Sequence, residues 1–157
     1  MNKRKIVEIF SGQYLVSKNQ NLIISTLLGS CIAVCLYDKW AQVGGMNHFM
    51  LPSPNNSNRN NDSNGIYGLP SLELMITELL QSGAMKSRLE AKVFGGAKVV
   101  KELPGNIPQA NIEFTLDYLA KENIKLISTD TGGEFGRKIL FDLSDFSVYV
   151  KTMANGT

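Results

Sequence analysis

The chain has 157 residues, 43% of them hydrophobic and 19% charged, and a formal net charge of +2. Those totals describe an ordinary globular chain able to bury about two thirds of its unfolded surface. The small charge argues against nucleic acid or an anionic membrane as partner, and no apolar run approaches the roughly 20 residues of a membrane span.

The basic start, Met1 to Lys5, is not followed by an uninterrupted apolar stretch of signal length, which points to a cytoplasmic protein. The first half is β-rich. Ile6–Phe10, Tyr14–Ser17 and Leu22–Thr26 read as short strands separated by Ser11-Gly12 and Lys18-Asn-Gln-Asn21, as polar turn clusters between apolar runs should. Two further apolar runs, Cys31–Tyr37 and Val43–Leu51, predict a hairpin around Asp38-Lys-Trp-Ala41. With the turn centred between Lys39 and Trp40, Cys31 falls directly opposite His48. A loop of two or four residues keeps that pairing, whereas an odd loop turns one side chain to the other face. The turn carries neither Asn-Gly nor Asp-Gly, the strongest hairpin signals. Ser53–Gly65 follows as a polar, Asn-rich loop with nothing to bury.

Leu72, Met75, Ile76, Leu79 and Leu80 repeat at helical spacing, with Pro70 suited to the first turn and Gly83 to the stop. Ala91–Phe94 is a strand ending in Gly95-Gly96. Ile112, Leu116, Leu119 and Ala120 mark a second helix, entered near Asn106-Ile-Pro108 and left at Asn123. Strands at Ile124–Ser128, Lys138–Phe141 and Ser147–Lys151 close the chain. Early strands with two later amphipathic helices predict an α+β fold, the helices covering one face of a mixed sheet. No repeat or interdomain linker interrupts it, so residues 1–157 read as one domain.

Cys31 and His48, the only histidine in the chain, are the candidates for chemistry. Opposed residues of an antiparallel pair hold their Cβ atoms about 4.5–5.5 Å apart, and a thiol and an imidazole at that distance form a minimal nucleophile–base pair. Gly29 and Ser30 precede the cysteine. Glycine there lets the backbone turn sharply and leaves amide N–H groups unobstructed, and such donors aimed at an oxyanion are worth about 10²–10³ in rate. An ordinary thiol has a pKa of about 8.5, so an imidazole that accepts its proton raises the reactive fraction. The ring needs a third group on its other nitrogen: Ser25, Thr26 and Asn47 are the local candidates, although Asn47 alternates to the face opposite His48. Cys31 and Cys35 share a face about 13 Å apart, too far for a disulfide; the same distance weakens a metal site joining both to His48, where zinc would also want a fourth ligand or an open water position. Taken alone, each residue has a blander reading, a small buried hydrophobe for the cysteine and a structural side chain for the histidine. The shared hairpin favours catalysis. Thr129–Arg137 is glycine-rich but lacks Gly-Lys-Ser/Thr and so fits no phosphate loop; it reads as a tight connection between strands. Phe94-Gly-Gly-Ala97 reads as a strand end, with an exposed phenylalanine anchor as the alternative.

Thr26-Leu-Leu-Gly-Ser-Cys-Ile-Ala-Val-Cys-Leu-Tyr-Asp38 and Gly44-Gly-Met-Asn-His-Phe-Met-Leu-Pro52 resemble the chemoreceptor glutamine deamidases of the CheD family. The likeness continues through Tyr67-Gly68, Phe94–Ala97 and Asp130–Arg137, in order along nearly the whole chain. The resemblance implies a single-domain three-layer α/β/β sandwich with mixed sheets and two main helices, a Cys-His-Thr catalytic set, no cofactor and no metal. Cys31 and His48 match the first two members. At the place of the threonine, six residues before the cysteine, stands Ser25, with Thr26 one step later. Asn106-Ile-Pro-Gln-Ala-Asn111 departs from the more basic Ile-Gly-x-Arg-Asn of the family, and the Asn-rich loop is longer than is usual there. The implied chemistry is attack of the Cys31 thiolate on a receptor glutamine, with amides near Gly29 and Ser30 holding the oxyanion. His48 then protonates the departing ammonia, and water hydrolyses the thioester to leave glutamate. The implied partners are the cytoplasmic helices of methyl-accepting chemoreceptors and a CheC-type phosphatase. Phe94, Gly95, Gly96 and Ala97 are the candidate contact surface for the latter. Two rival expectations are a non-catalytic regulator of that phosphatase, supported by Ser25, and a redox sensor acting through Cys31.

Overall fold

The computed structural model describes residues 3–51, 68–99 and 106–153; the Asn-rich loop at 53–65 lies outside them. In chain order the elements are β1 (Lys5–Glu8), β2 (Tyr14–Ser17), β3 (Leu22–Leu28), β4 (Ile32–Asp38), β5 (Val43–Phe49), α1 (Gly68–Gln81), β6 (Glu90–Gly95), α2 (Ile107–Lys121), β7 (Lys125–Thr131), β8 (Arg137–Asp142) and β9 (Ser147–Thr152). Each predicted strand and helix has its counterpart. β3 and β7 run further than the apolar pattern suggested, and a turn of 3₁₀ helix at Lys86–Arg88 carries no such pattern.

The uninterrupted apolar sequence of β4 explains the layering, because a strand buried on both faces shows no polar alternation. All seven of its residues are buried. Ile32, Val34 and Leu36 face the helices and pack with Leu72, Met75 and Leu79 of α1 and Ile112 and Leu119 of α2. Ala33, Cys35 and Tyr37 face the other way, against Ile24 and Leu28 of β3 and Ile139 and Phe141 of β8. β4 thus divides one core between helix and sheet from a second core between sheet and sheet.

The sheet that contains β4 has five strands in the order β2-β5-β4-β6-β7, and the opposing sheet has four in the order β1-β3-β8-β9. Both are mixed: β1–β3 and β6–β7 are parallel, the remaining pairs antiparallel. The arrangement is the three-layer α/β/β sandwich, with two sheets where element order alone suggested one. Both helices stop where predicted. Gly83 and Asn123 are left-handed (φ 106° and 56°), and the N–H of the next residue closes back on Leu79 O and Leu119 O respectively, the Schellman geometry. Among the described residues no helix is long and apolar enough to cross a membrane.

The β4–β5 hairpin differs from expectation in register. Asp38 opposes Val43 and Ala33 opposes His48, so the turn is centred between Trp40 and Ala41, one residue later than the sequence pattern placed it. Cys31 therefore does not sit directly across from His48; it precedes β4 and lies diagonal to it. The cause is Asp38, which stays in the strand and accepts the N–H groups of Trp40 and Ala41 at 3.0 Å each, while Gln42 takes a left-handed φ of 55°. Partners shift by two, and a shift by two preserves the face. Cys31 packs into the sheet–sheet core, on the side to which His48 also points.

Candidate active site

Cys31 lies in the short crossing from β3 in one sheet to β4 in the other. Its loop is held by three successive carbonyls. Gly29 O accepts the Ala97 N–H at 3.0 Å and Cys31 O accepts the Gly96 N–H at 2.9 Å, while Ser30 O accepts from Asn111 Nδ2 at 3.0 Å. This contact with the end of β6 requires glycine. Gly95 has φ +112°, and a Cβ there would overlap the carbonyl oxygen of Cys31; Gly96 has φ +70°, and a Cβ would stand 2.5 Å from Ile112. Gly29, credited from sequence with the sharp turn, is not in the left-handed region. The backbone freedom the site needs lies across from the nucleophile, at Gly95-Gly96.

His48 is 6% exposed, and its Nδ1 lies 2.7 Å from Thr26 Oγ1. The Thr26 hydroxyl donates its one proton to the carbonyl of Ile9, 2.8 Å away, so toward His48 it can only accept. Nδ1 must then carry the hydrogen, which leaves the lone pair on Nε2 as the basic position. Burial pushes the His48 pKa down to about 4, so the ring is neutral at neutral pH. Burial also pushes the Cys31 thiol up, partly offset by the Ser11 side chain beside it. The resting pair is thus a neutral thiol and a neutral imidazole. Ser11 arrives there because its turn is zipped to β5: Gly12 N–H donates to His48 O at 2.8 Å, and His48 N–H to Gln13 O at 3.0 Å.

Asn111 of α2 is fully buried and bridges both halves of the site. Its Oδ1 accepts the N–H of Leu51, just beyond β5, at 2.7 Å, and its Nδ2 holds Ser30 beside the cysteine. Sequence reading missed Asn111 and Ser11. The signal for Asn111 was a polar residue beside Ile112 on the buried stripe of a helix; the signal for Ser11 was no more than a turn.

The family model described as CheD chemotactic sensory transduction matches residues 50–152. A protein of Rhizobium etli (strain CIAT 652) named "Probable chemoreceptor glutamine deamidase CheD" is 44% identical over 133 residues, which are 85% of this chain and 72% of that protein. The chain belongs to the CheD family. A further CheD protein, from Shewanella oneidensis and named "Probable chemoreceptor glutamine deamidase CheD 2", is 43% identical over 157 residues, covering 94% of this chain and 77% of its own length. Among solved structures, the hypothetical protein YfiH of Bacillus licheniformis compares at a TM-score of 0.48 and 11% identity, over 83% of this chain and 60% of that one.

Within this CheD chain two expectations change. Ser25 does not reach His48. It pairs with Glu8 and Leu140 in the four-stranded sheet, and since Ile24 and Leu28 face inward, alternation turns Ser25 outward and Thr26 inward. The Phe94–Ala97 block is not an exposed contact surface. Phe94 is in the sheet–sheet core at 4% exposure and Ala97 at 0%, with Gly95 and Gly96 also buried, because the block backs the cysteine loop. Asn47 lies on the helix side as expected, accepting from Val34 N–H and donating to Ser71 Oγ, each at 2.9 Å. The Thr129–Arg137 stretch is the expected tight connection. Gly132 N–H donates to Gly95 O at 2.9 Å, and the buried Arg137 guanidinium donates to Asp130 Oδ1 at 2.9 Å and to the carbonyl of Gly132.

Proposed function

We propose that this CheD-family chain is a chemoreceptor glutamine deamidase that works by Cys–His nucleophilic catalysis. The observation that carries this reading is the contact of Thr26 Oγ1 with His48 Nδ1. It fixes the tautomer that leaves Nε2 basic, on a ring that points into the core between the sheets where Cys31 packs. The names of the relatives supply the substrate class, chemoreceptor glutamine; the resemblance of the sequence points to side chains on the cytoplasmic helices of methyl-accepting receptors.

As the Cys31 sulfur bonds to the carboxamide carbon, its proton passes to His48 Nε2. A base of low pKa facing a thiol of raised pKa favours that transfer only once carbon–sulfur bonding is under way. Backbone amides of the Gly29–Cys31 crossing hold the oxyanion. Collapse breaks the carbon–nitrogen bond, and the His48 proton goes to the nitrogen, so that ammonia leaves and a thioester remains. Water then attacks the thioester and gives a proton to the same imidazole. The carbon–sulfur bond breaks, the thiol regains its proton, and the receptor carries glutamate. A cytoplasmic setting and a CheC-type phosphatase partner belong to the same proposal; with Phe94–Ala97 buried, the phosphatase meets another surface. The regulatory alternative loses its sequence support, because the hydroxyl on Nδ1 comes from Thr26 and does not depend on Ser25.

The test is incubation with receptor cytoplasmic fragments and mass spectrometry of their peptides. Glutamine-to-glutamate conversion that disappears with Cys31→Ala is the expected result. Unchanged receptor after incubation with the wild-type protein would refute the deamidase.

A further inference from the structure

We propose that Asn111 is a positioning residue that sets the oxyanion-binding amide of the active site, an inference that rests on the deamidase reading above. A trans peptide joins Ser30 to Cys31. In a trans peptide the C=O and N–H point in opposite directions. Asn111 Nδ2, on the helix layer, takes the Ser30 carbonyl at 3.0 Å and draws it toward α2. The Cys31 N–H is thereby aimed away from α2, to the side where the Cys31 side chain packs between the sheets and where His48 stands. Ala97, holding Gly29 O at 3.0 Å, orients the Ser30 N–H by the same rule. An oxyanion formed on a carbon bonded to the Cys31 sulfur meets the Cys31 N–H already turned toward it.

Asn111 is suited to this task because both ends of its amide are used. Its Oδ1 is committed to Leu51 N–H at 2.7 Å, so the amide cannot flip without breaking both bonds, and the residue has no exposed surface. Leu51 follows the strand that carries His48, so one buried side chain ties the nucleophile's loop to the base's strand. Thr115 Oγ1 donates to the Asn111 carbonyl at 2.7 Å and secures that turn of α2.

Asn111→Asp keeps the shape of the side chain. When ionised, its carboxylate still accepts from Leu51 but has no hydrogen to give Ser30 O; protonated, as burial favours, it still donates there, so Asn111→Ala, which has no donor, is the deciding variant. Deamidation of receptor fragments by Asn111→Ala should show kcat reduced by about 10²-fold, the effect of one misplaced oxyanion donor, with KM little changed. Alkylation of Cys31 by iodoacetamide is displacement at a saturated carbon and develops no oxyanion, so its rate in Asn111→Ala should match wild type. Wild-type kcat in Asn111→Ala would overturn the proposal, as would alkylation in that variant that falls in step with kcat. If that variant fails to fold, the wild-type protein decides. A receptor peptide with an aldehyde in place of the glutamine carboxamide adds the Cys31 sulfur to form a thiohemiacetal. The Cys31 amide proton resonance should then move downfield, and an unmoved resonance would overturn the proposal. Absence of Cys31-dependent deamidation in the wild type would instead sink the deamidase reading, and this inference with it.

Discussion

Ser25 and Thr26 are adjacent hydroxyl residues, and strand geometry gives them opposite fates. The inward one, Thr26, accepts from His48 and donates to Ile9; Ser25 is also buried, at 2% exposure, but on the opposite face of β3. Thr26→Val keeps the shape and removes the oxygen. The buried Nδ1–H is then unpaired, at a cost of about 1–3 kcal/mol. Deamidation should fall roughly 10–10²-fold, part of the 10²–10⁴ that a positioned base contributes, while Ser25→Ala should retain wild-type turnover. Steady-state kinetics of the two variants checks this. His48 also makes stability depend on pH. Its pKa is about 4 when folded against 6.5 for the free side chain, so between those values the unfolded chain takes up a proton that the folded one refuses. Stability is therefore full above pH 6.5 and is lost as pH falls toward 4, by about 2 kcal/mol from this residue between pH 7.5 and pH 5. Urea denaturation at the two pH values should show that loss in the wild type and a smaller one in His48→Ala.

At the scale of elements, the hairpin shows what a sequence carries and what it omits. The two apolar runs of β4 and β5 were plain, and period-two alternation placed Cys31 and His48 on one face even with the turn displaced. The turn itself was not legible, because it depends on a side chain reaching across the fold. The Asp38 carboxylate accepts from Trp40, Ala41 and Met85 and pairs with Arg88 Nε at 2.9 Å. Burial pushes its pKa up, but the Met85, Ala41 and Arg88 bonds outweigh this and hold it below the usual value. Nothing in Asp-Lys-Trp-Ala-Gln announces Met85 and Arg88, which arrive from beyond α1. Asn111 was hidden for the same reason: its two partners, Ser30 and Leu51, are far off in sequence. Asp38→Ala leaves three amides and a guanidinium without their acceptor and should cost about 3–5 kcal/mol, as breaking a buried ion pair does. A lowered urea midpoint with an unchanged slope would bear this out, and stability within about 0.5 kcal/mol of wild type, as for an ordinary surface change, would show the turn to be fixed otherwise.

At the scale of the whole molecule, the site draws one residue or more from each layer. Thr26 comes from the four-stranded sheet, His48 from the five-stranded sheet, and Asn111 from the helices, with Cys31 where the chain crosses between sheets. The Thr26–His48 contact spans the gap between the sheets, so the packing of that gap should set catalysis as well as stability. Two fully buried side chains allow a comparison. Phe141 fills the sheet–sheet core, its ring 6.1 Å from those of Tyr37 and Phe146; Leu79 fills the helix–sheet core. Phe141 opposes Ile24 in the β3–β8 pair, diagonal to Thr26 on the same face, whereas Leu79 lies beyond the five-stranded sheet. Truncation to alanine costs about 3–5 kcal/mol for a buried Phe and 2–5 for a buried Leu, and both variants should unfold at lower urea. Their turnover should differ at a temperature where each remains folded. Phe141→Ala loosens the gap that the Thr26–His48 bond must cross and should lower kcat, whereas Leu79→Ala leaves that gap intact and should keep the kcat of the wild type. Equal kcat in the two variants would mean that the sheets hold Thr26 against His48 through their strand connections alone, independent of the core between them.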